Sequence, residues 1–257
     1  YYRCPSCSHL FVQNQPSAEA MHDVFRALED VGAVYTDKEA LKTRMEQVVA
    51  PKVTWMRETF QQHFGKAPSS VYDVGAAGGQ FVAGCRDQGS TAQGIEISPI
   101  STRFAKEMLD VDLETGDFLT SNYHEPVDVV TLWGVLEYSH RPQEFVDKAR
   151  QIMRTDSALV IEIPRSDCLA SSIQVARPQG IFRHLAPSSH LNVFSDASLA
   201  TLLHNSGLKP IAAWYFGMDA YEVLCQLAME ANDDMVFTNA ARFIPSIQKA
   251  IDAGRIS

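Results

Sequence analysis

Long hydrophobic runs are missing from this sequence. No 18 consecutive apolar residues occur, so no membrane-spanning helix and no membrane partner are expected. Basic charge is scarce as well: 22 Lys and Arg stand against 31 Asp and Glu, a net charge of −9. A chain this acidic lacks the broad basic footprint that holds a phosphate backbone, which argues against nucleic acid as a partner. Cysteine is sparse and odd in number, with five residues at Cys4, Cys7, Cys85, Cys168 and Cys225. A secreted disulfide scaffold is denser and even. The sequence opens with no basic-then-apolar signal segment, so the expected compartment is the cytoplasm. Internal repeats and low-complexity tracts are absent too.

What is present is an ordinary globular composition: 257 residues, 46% hydrophobic and 21% charged. Three segments differ in rhythm. Residues 1–16 carry a Cys-x-x-Cys knuckle and a short apolar stretch. Residues 17–66 read as a helical cap: Met21, Val24, Phe25 and Leu28 share one face, Ser17 can cap, and a second helical stretch over about 38–64 is interrupted by Pro51. Residues 67–257 alternate short apolar strands with amphipathic helices. Strands are expected at 70–74, 92–97, 111–114, 127–133, 158–163 and 210–216, with helices near 80–88, 100–109, 142–154 and 196–205 between them. Two more helical stretches, 220–230 and 240–253, close the sequence. This alternation predicts an α/β fold: a Rossmann-like, doubly wound, mostly parallel sheet with helices on both faces, preceded by the helical cap and the Cys-x-x-Cys segment. Such sheets bind ligands at the carboxyl ends of their strands.

The strongest local signal is Asp73-Val-Gly-Ala-Ala-Gly-Gly79, an apolar strand ending in a glycine turn that opens a helix. Dinucleotide enzymes favour G-x-G-x-x-G there, but the third position of that pattern is Ala77. Asp73 weighs further against a pyrophosphate, because one charge pair at about 4 Å and an effective dielectric of about 20 is worth about 4 kcal/mol. The same carboxylate favours a cation, and S-adenosylmethionine (SAM) carries a sulfonium and an ammonium but no phosphate. Glu96, at the end of the second strand, can accept from both ribose hydroxyls. Asp117 can accept from an adenine amino group, with Phe118 along the ring.

The ordered motifs Asp-Val-Gly-Ala-Ala-Gly-Gly, Gly94-Ile-Glu-Ile97, Gly116-Asp-Phe118 and Val127-Asp-Val-Val-Thr-Leu-Trp-Gly-Val-Leu-Glu137 resemble those of the class I SAM-dependent methyltransferases, and the resemblance covers about residues 69–216. It implies that Asp73, Gly75, Ala76 and Gly79 surround the methionine part. Glu96 would hold the ribose, Ile97, Asp117 and Phe118 would meet the adenine, and Trp133 would face the ammonium end. Relatives often carry an acid or amide where Gly134 stands and His where Tyr138 stands. They also end on a strand hairpin, and no seventh strand is expected after Ala253.

Cys4-Pro-Ser-Cys7 resembles one knuckle of the zinc ribbon that precedes the SAM fold in some methyltransferases, sugar C-methyltransferases among them. Structural zinc takes four ligands, so this reading needs a second knuckle upstream of Tyr1; a redox pair and no role at all are the other readings. For the chemistry, a hydroxyl acceptor needs a base, and the candidates are His190, His140 and Glu137, with His184 beside them; each can equally be a packed or capping residue. In relatives the segment before the sheet forms a lid over SAM and supplies acceptor contacts; Tyr35, Arg44 and Trp55 of this cap are the candidates, and each can equally be packed on the sheet. Arg165, Arg177 and Arg183 form a cluster that suits an anionic acceptor.

The expected function is methyl transfer from SAM, with S-adenosylhomocysteine (SAH) as product, to a small molecule, with a tilt toward a sugar or polysaccharide precursor. The alternatives are a natural-product or quinone-like hydroxyl acceptor and a non-catalytic SAM-fold regulatory protein; a dinucleotide oxidoreductase is disfavoured by Asp73 and Ala77. The expected assembly is a monomer or homodimer.

Overall fold

The structure, a computed structural model, describes residues 1–27, 35–177 and 185–257. Leu28, Arg183 and His184 therefore lie outside the described residues. The strands, in chain order, are β1 (Tyr2–Arg3), β2 (Leu10–Phe11), β3 (Ser70–Val74), β4 (Thr91–Glu96), β5 (Glu114–Thr115), β6 (Val127–Trp133), β7 (Met153–Glu162) and β8 (Asn192–Val193). The chain forms two compact units, one of Gln15–Ile163 and the other of Tyr1–Asn14 with Pro164–Ser257.

The Gln15–Ile163 unit is built on a five-stranded parallel sheet in the order β5-β4-β3-β6-β7. The chain winds outward from β3 through β4 to β5, then returns to the other side of β3 with β6. That reversal opens a crevice at the carboxyl ends of the central strands. β3 and β6 are buried along nearly their whole length, as their unbroken Val-rich runs require.

Helices flank the sheet. The Ala50–Phe64 helix turns Val53, Met56 and Phe60 into the core against Val71, Val129 and the helix Gln80–Asp87. Pro51 does not break it. Just upstream the chain widens into a π turn over Met45–Val49, where the Ala50 N–H reaches back five residues to the Met45 carbonyl. Widening there accommodates a residue that has no N–H and crowds the preceding turn. The helix ends at Gly65, whose φ of 73° provides the left-handed cap.

The other unit holds a small antiparallel sheet, β1-β2-β8. The Cys-x-x-Cys segment is the turn between β1 and β2, closed by Cys4 N–H to the His9 carbonyl and Ser8 N–H to the Cys4 carbonyl. His9 packs on Phe194 with ring centroids 4.6 Å apart and meets Asn192 through Nε2 at 3.1 Å. The helices Leu169–Ala176, Asp196–Asn205, Asp219–Ala231, Asp234–Ala240 and Ile244–Ala253 complete the unit. Ser195 and Ser198 close a reciprocal capping box at the start of the second of these.

Two strand expectations change. Of residues 111–114 only Glu114 is in a strand; Val111 is buried and donates its N–H to the Ala105 carbonyl, which extends the end of the preceding helix. Residues 210–216 form no strand. There Pro210 lacks a donor, and the aromatics take other partners: Trp214 packs on Phe216, and Tyr215 donates to Asp196 at 3.0 Å beneath the Arg165 guanidinium.

Candidate cofactor and active site

β3 runs into a turn with three left-handed residues: Gly75 at φ 70°, Ala77 at φ 46° and Gly79 at φ 76°. Gly75 and Ala76 donate their N–H groups to the Ile95 carbonyl at 2.9 and 3.0 Å, which folds the turn against β4. No side chain fits where the glycines stand. A Cβ on Gly75 would lie 2.8 Å from Val135 Cγ2, and one on Gly79 would lie 2.8 Å from Ala105 Cβ.

Glu96 closes the arrangement. Its carboxylate accepts from the Ala77 N–H and the Ser98 N–H, each at 2.8 Å. Burial pushes its pKa up while those backbone donors oppose the shift. Each oxygen keeps a second lone pair for a ligand.

A cavity of about 240 Å³ lies over this turn within the same unit. Its floor and sides include Gly75, Ala77, Glu96, Ile97, Asp117, Phe118 and Trp133. The cofactor residues expected from the sequence therefore converge on one space, with three exceptions that act from beneath it. Ala76 and Gly79 shape the turn without lining the cavity. Asp73 is only 2% exposed and accepts from the Thr131 hydroxyl at 2.6 Å. Burial raises its pKa to about 7, against the pull of Thr131 and Lys52.

Asp117 caps the short helix Phe118–Thr120 by accepting from the Leu119 N–H at 2.9 Å. Its other oxygen is 3.9 Å from His22 Nε2. Trp133 stands between the Phe81 ring, 5.1 Å away, and the Lys52 ammonium, 4.6 Å from its ring centroid. Its indole N–H is buried without a partner among the described residues.

The candidate bases separate. His140 lines the cavity, and its Nε2 meets the Pro16 carbonyl at 2.5 Å. A carbonyl only accepts, so Nε2 carries a proton, and in the neutral ring the lone pair is on Nδ1. Glu137 is 5% exposed and does not line the cavity. His190 belongs to the other unit, where its N–H donates to the Ala186 carbonyl and its own carbonyl accepts from Tyr1.

The resemblance implies that the cap segment covers the cofactor, and the helix Ala18–Ala27 brings Ala18, Met21, His22 and Phe25 to the cavity; what the sequence reading did not single out is these four residues. Their helical spacing was legible, but it fits a packed face equally well. Phe25 meets Tyr138 edge-on at 5.1 Å, and Phe145 adds a further apolar wall. Of the three cap residues singled out, Tyr35 lines the cavity, Arg44 lies 4.2 Å over the Tyr35 ring and Trp55 packs on the core.

Of the three arginines, Arg183 lies outside the described residues and the other two are engaged with acids. Arg165 pairs with Asp167 and Asp196 and donates to the Arg255 and Ser257 carbonyls. Arg177 pairs with Glu230. Cys4 and Cys7 are free thiols, and backbone N–H groups of Cys7 and Ser6 aimed at the Cys4 sulfur lower its pKa. Among the described residues no group of three or more metal-binding side chains occurs. No described helix is long and apolar enough to cross a membrane.

The profile of the methyltransferase-domain family matches residues 41–213. No curated protein matches the chain. Among solved structures, the magnesium protoporphyrin IX methyltransferase of Synechocystis PCC 6803 with bound SAH aligns over 74% of this chain and 89% of that one, with 15% identity and a TM-score of 0.55. The plantazolicin methyltransferase BpumL in complex with SAH aligns over 72% of this chain and 73% of that one, with 15% identity and a TM-score of 0.54. The chain spans about half, 51%, of a sugar N-methyltransferase from Streptoalloteichus sp ATCC 53650 at 19% identity, and that TM-score of 0.42 carries no weight. These likenesses are of fold; the family profile runs through the glycine turn, Glu96 and the ends of β6 and β7. The chain belongs to the methyltransferase-domain family and has the fold of the SAM-dependent methyltransferases it resembles.

Proposed function

We propose that this protein methylates a hydroxyl group on a small molecule with an apolar or aromatic face, with His140 as the base. The observation that carries the cofactor half is the Glu96 carboxylate, fixed by two backbone N–H groups in the wall of the cavity. That arrangement fits SAM: free lone pairs for a ribose diol, and bare glycine backbone for close approach.

When bound, SAM supplies a methyl group on a cationic sulfur, so little activation of the leaving group is asked of the protein. The chain's own residues have three tasks. Glu96 and Asp117 orient the nucleoside part through charge-assisted hydrogen bonds. Met21, Phe25, Val135 and Phe145 present apolar surface that excludes water. His140 Nδ1 takes the acceptor's proton as the oxygen attacks, while the Pro16 carbonyl holds the ring in the tautomer this requires.

The sugar or polysaccharide precursor suggested by the arginines and the ribbon-like end loses part of its support, because Arg165 and Arg177 are already paired with acids. The apolar wall supports the natural-product or quinone-like hydroxyl instead. A base in the cavity wall also supports catalysis over a purely regulatory role. In the other unit, a zinc role for Cys4 and Cys7 stays part of this proposal only with ligands beyond the described residues.

The test is transfer of labelled methyl from SAM to a panel of aromatic and apolar hydroxyl compounds. His140→Ala is expected to lower kcat by about 10²–10⁴-fold with SAM affinity unchanged. Full turnover in that variant contradicts the assignment of the base.

A further inference from the structure

The carboxyl group of Glu137 sits directly under the cavity wall without opening into it. Its Oε1 is 3.3 Å from the point a Cβ on Gly134 would occupy, and Gly134 lines the cavity. Its Oε2 is buried with no hydrogen-bond partner among the described residues. Three titratable groups face it: Lys52 of the helix Ala50–Phe64, Glu162 at the end of β7, and the neighbouring Tyr138 phenol. Lys52 is already ion-paired with Glu162 and lies against the Trp133 ring. One ammonium therefore faces three carboxyl groups, Glu162, Asp73 and Glu137. Lys52 and Glu162 balance each other, and a charge on Glu137 would be surplus. An ionised carboxylate there has only its own backbone N–H as a donor to set against the cost of desolvation, so the group holds its proton. Burial, opposed by its own backbone N–H and by Lys52 and helped by Glu162, raises its pKa to about 8.

Resting on the SAM reading of the cavity, we infer that Glu137 is a latent counter-charge that releases its proton when a cation fills the cavity, so that the site favours SAM over its product. SAM carries a sulfonium, an ammonium and a carboxylate, a net charge of +1. SAH has lost the sulfonium charge and is neutral overall. As SAM enters, the Glu137 O–H gives its proton to solvent, and the charge of corner and ligand together falls from +1 to zero. After transfer the sulfur is neutral, Glu137 takes a proton back, and the attraction that held the cofactor is gone. No atom of Glu137 touches the ligand in this scheme; it acts through the field it sets beneath Gly134 and Trp133.

Calorimetric titration with SAM and separately with SAH tests this, at pH 6.5, 7.5 and 8.5 and in two buffers of different ionisation enthalpy. In the wild type, SAM binding is expected to release more protons than SAH binding, and the ratio of SAM to SAH affinity should rise on the order of tenfold across the range. Glu137→Gln keeps the shape of the neutral acid and should abolish both the extra release and the rise. Persistence of both in Glu137→Gln overturns the inference and moves the titration to another group, with Asp73 first in line. If that variant does not fold, Asp73→Asn decides: the extra release and the rise should both persist there, and their loss assigns the titration to Asp73 and overturns the inference. SAM binding without Glu137-dependent proton release contradicts this inference alone. No SAM binding to the wild type overturns the cofactor reading along with it.

Discussion

At the scale of single residues, the same buried acid makes a claim about stability. Glu137 has a folded pKa of about 8 against an ordinary value of 4.5. Below pH 4.5 it is neutral in both the folded and the unfolded chain and costs nothing. As pH rises from there toward 8, the unfolded chain releases the proton and the folded chain keeps it, so stability is lost across that window at up to about 1.4 kcal/mol per pH unit. Replacing it by Gln removes that loss. Glu137→Gln should therefore melt above the wild type at pH 7, with the difference shrinking toward pH 4.5; chemical denaturation at several pH values measures it. A lower stability of the variant at pH 7 means that Glu137 is ionised and paired in the fold. The glycine turn was legible in the sequence because its signal is local: Gly75 and Glu96 act through neighbours a few bonds or one strand away. Asp73 was read as a charge facing the ligand. Its strand position was right, but the alternation of β3 turns its side chain onto Thr131 instead.

At the scale of elements, the contact between the helices Ala50–Phe64 and Gln80–Asp87 depends on Gly84. A Cβ there would stand 2.8 Å from Val49 Cγ1 and 3.2 Å from Val53 Cγ2. Branched valines on a rigid helix give way poorly. Gly84→Val is expected to destabilise the protein by about 2 kcal/mol, read from the urea midpoint at unchanged slope; a neutral result would show that the helices separate freely. The central strands were legible because each is a continuous apolar run bounded by turns. Residues 210–216 carry a similar run, yet pairing needs an open edge in register, which no local pattern specifies. The helix Ala18–Ala27 was legible as amphipathic and, through the resemblance, as part of a lid, but which of its residues would line the cavity was not. Its apolar face looks the same whether it covers a core or a ligand, and His22 reaches Asp117 only through the tertiary fold.

At the scale of the whole molecule, the acidic balance and the cationic cofactor are consistent in sign. The sheet order β5-β4-β3-β6-β7 gathers Gly75, Glu96, Asp117 and Trp133 from four separate stretches of sequence at one end of the sheet. The alternation of strands and helices foretold that gathering. It could not foretell the apolar character of the facing wall, which weakens the case for a charged sugar acceptor. The acceptor proposal and the proton-release inference both rest on the identity of the cofactor, and Glu96 is the residue on which it turns. The most direct measurement is calorimetric titration of the wild type and of Glu96→Ala with SAM and, separately, with NAD. The structure leads us to expect SAM binding to the wild type, affinity lowered by about 10–100-fold in the variant through loss of charge-assisted hydrogen bonds, and no heat with NAD. NAD binding, or SAM affinity unchanged by Glu96→Ala, would contradict the assignment of this cavity.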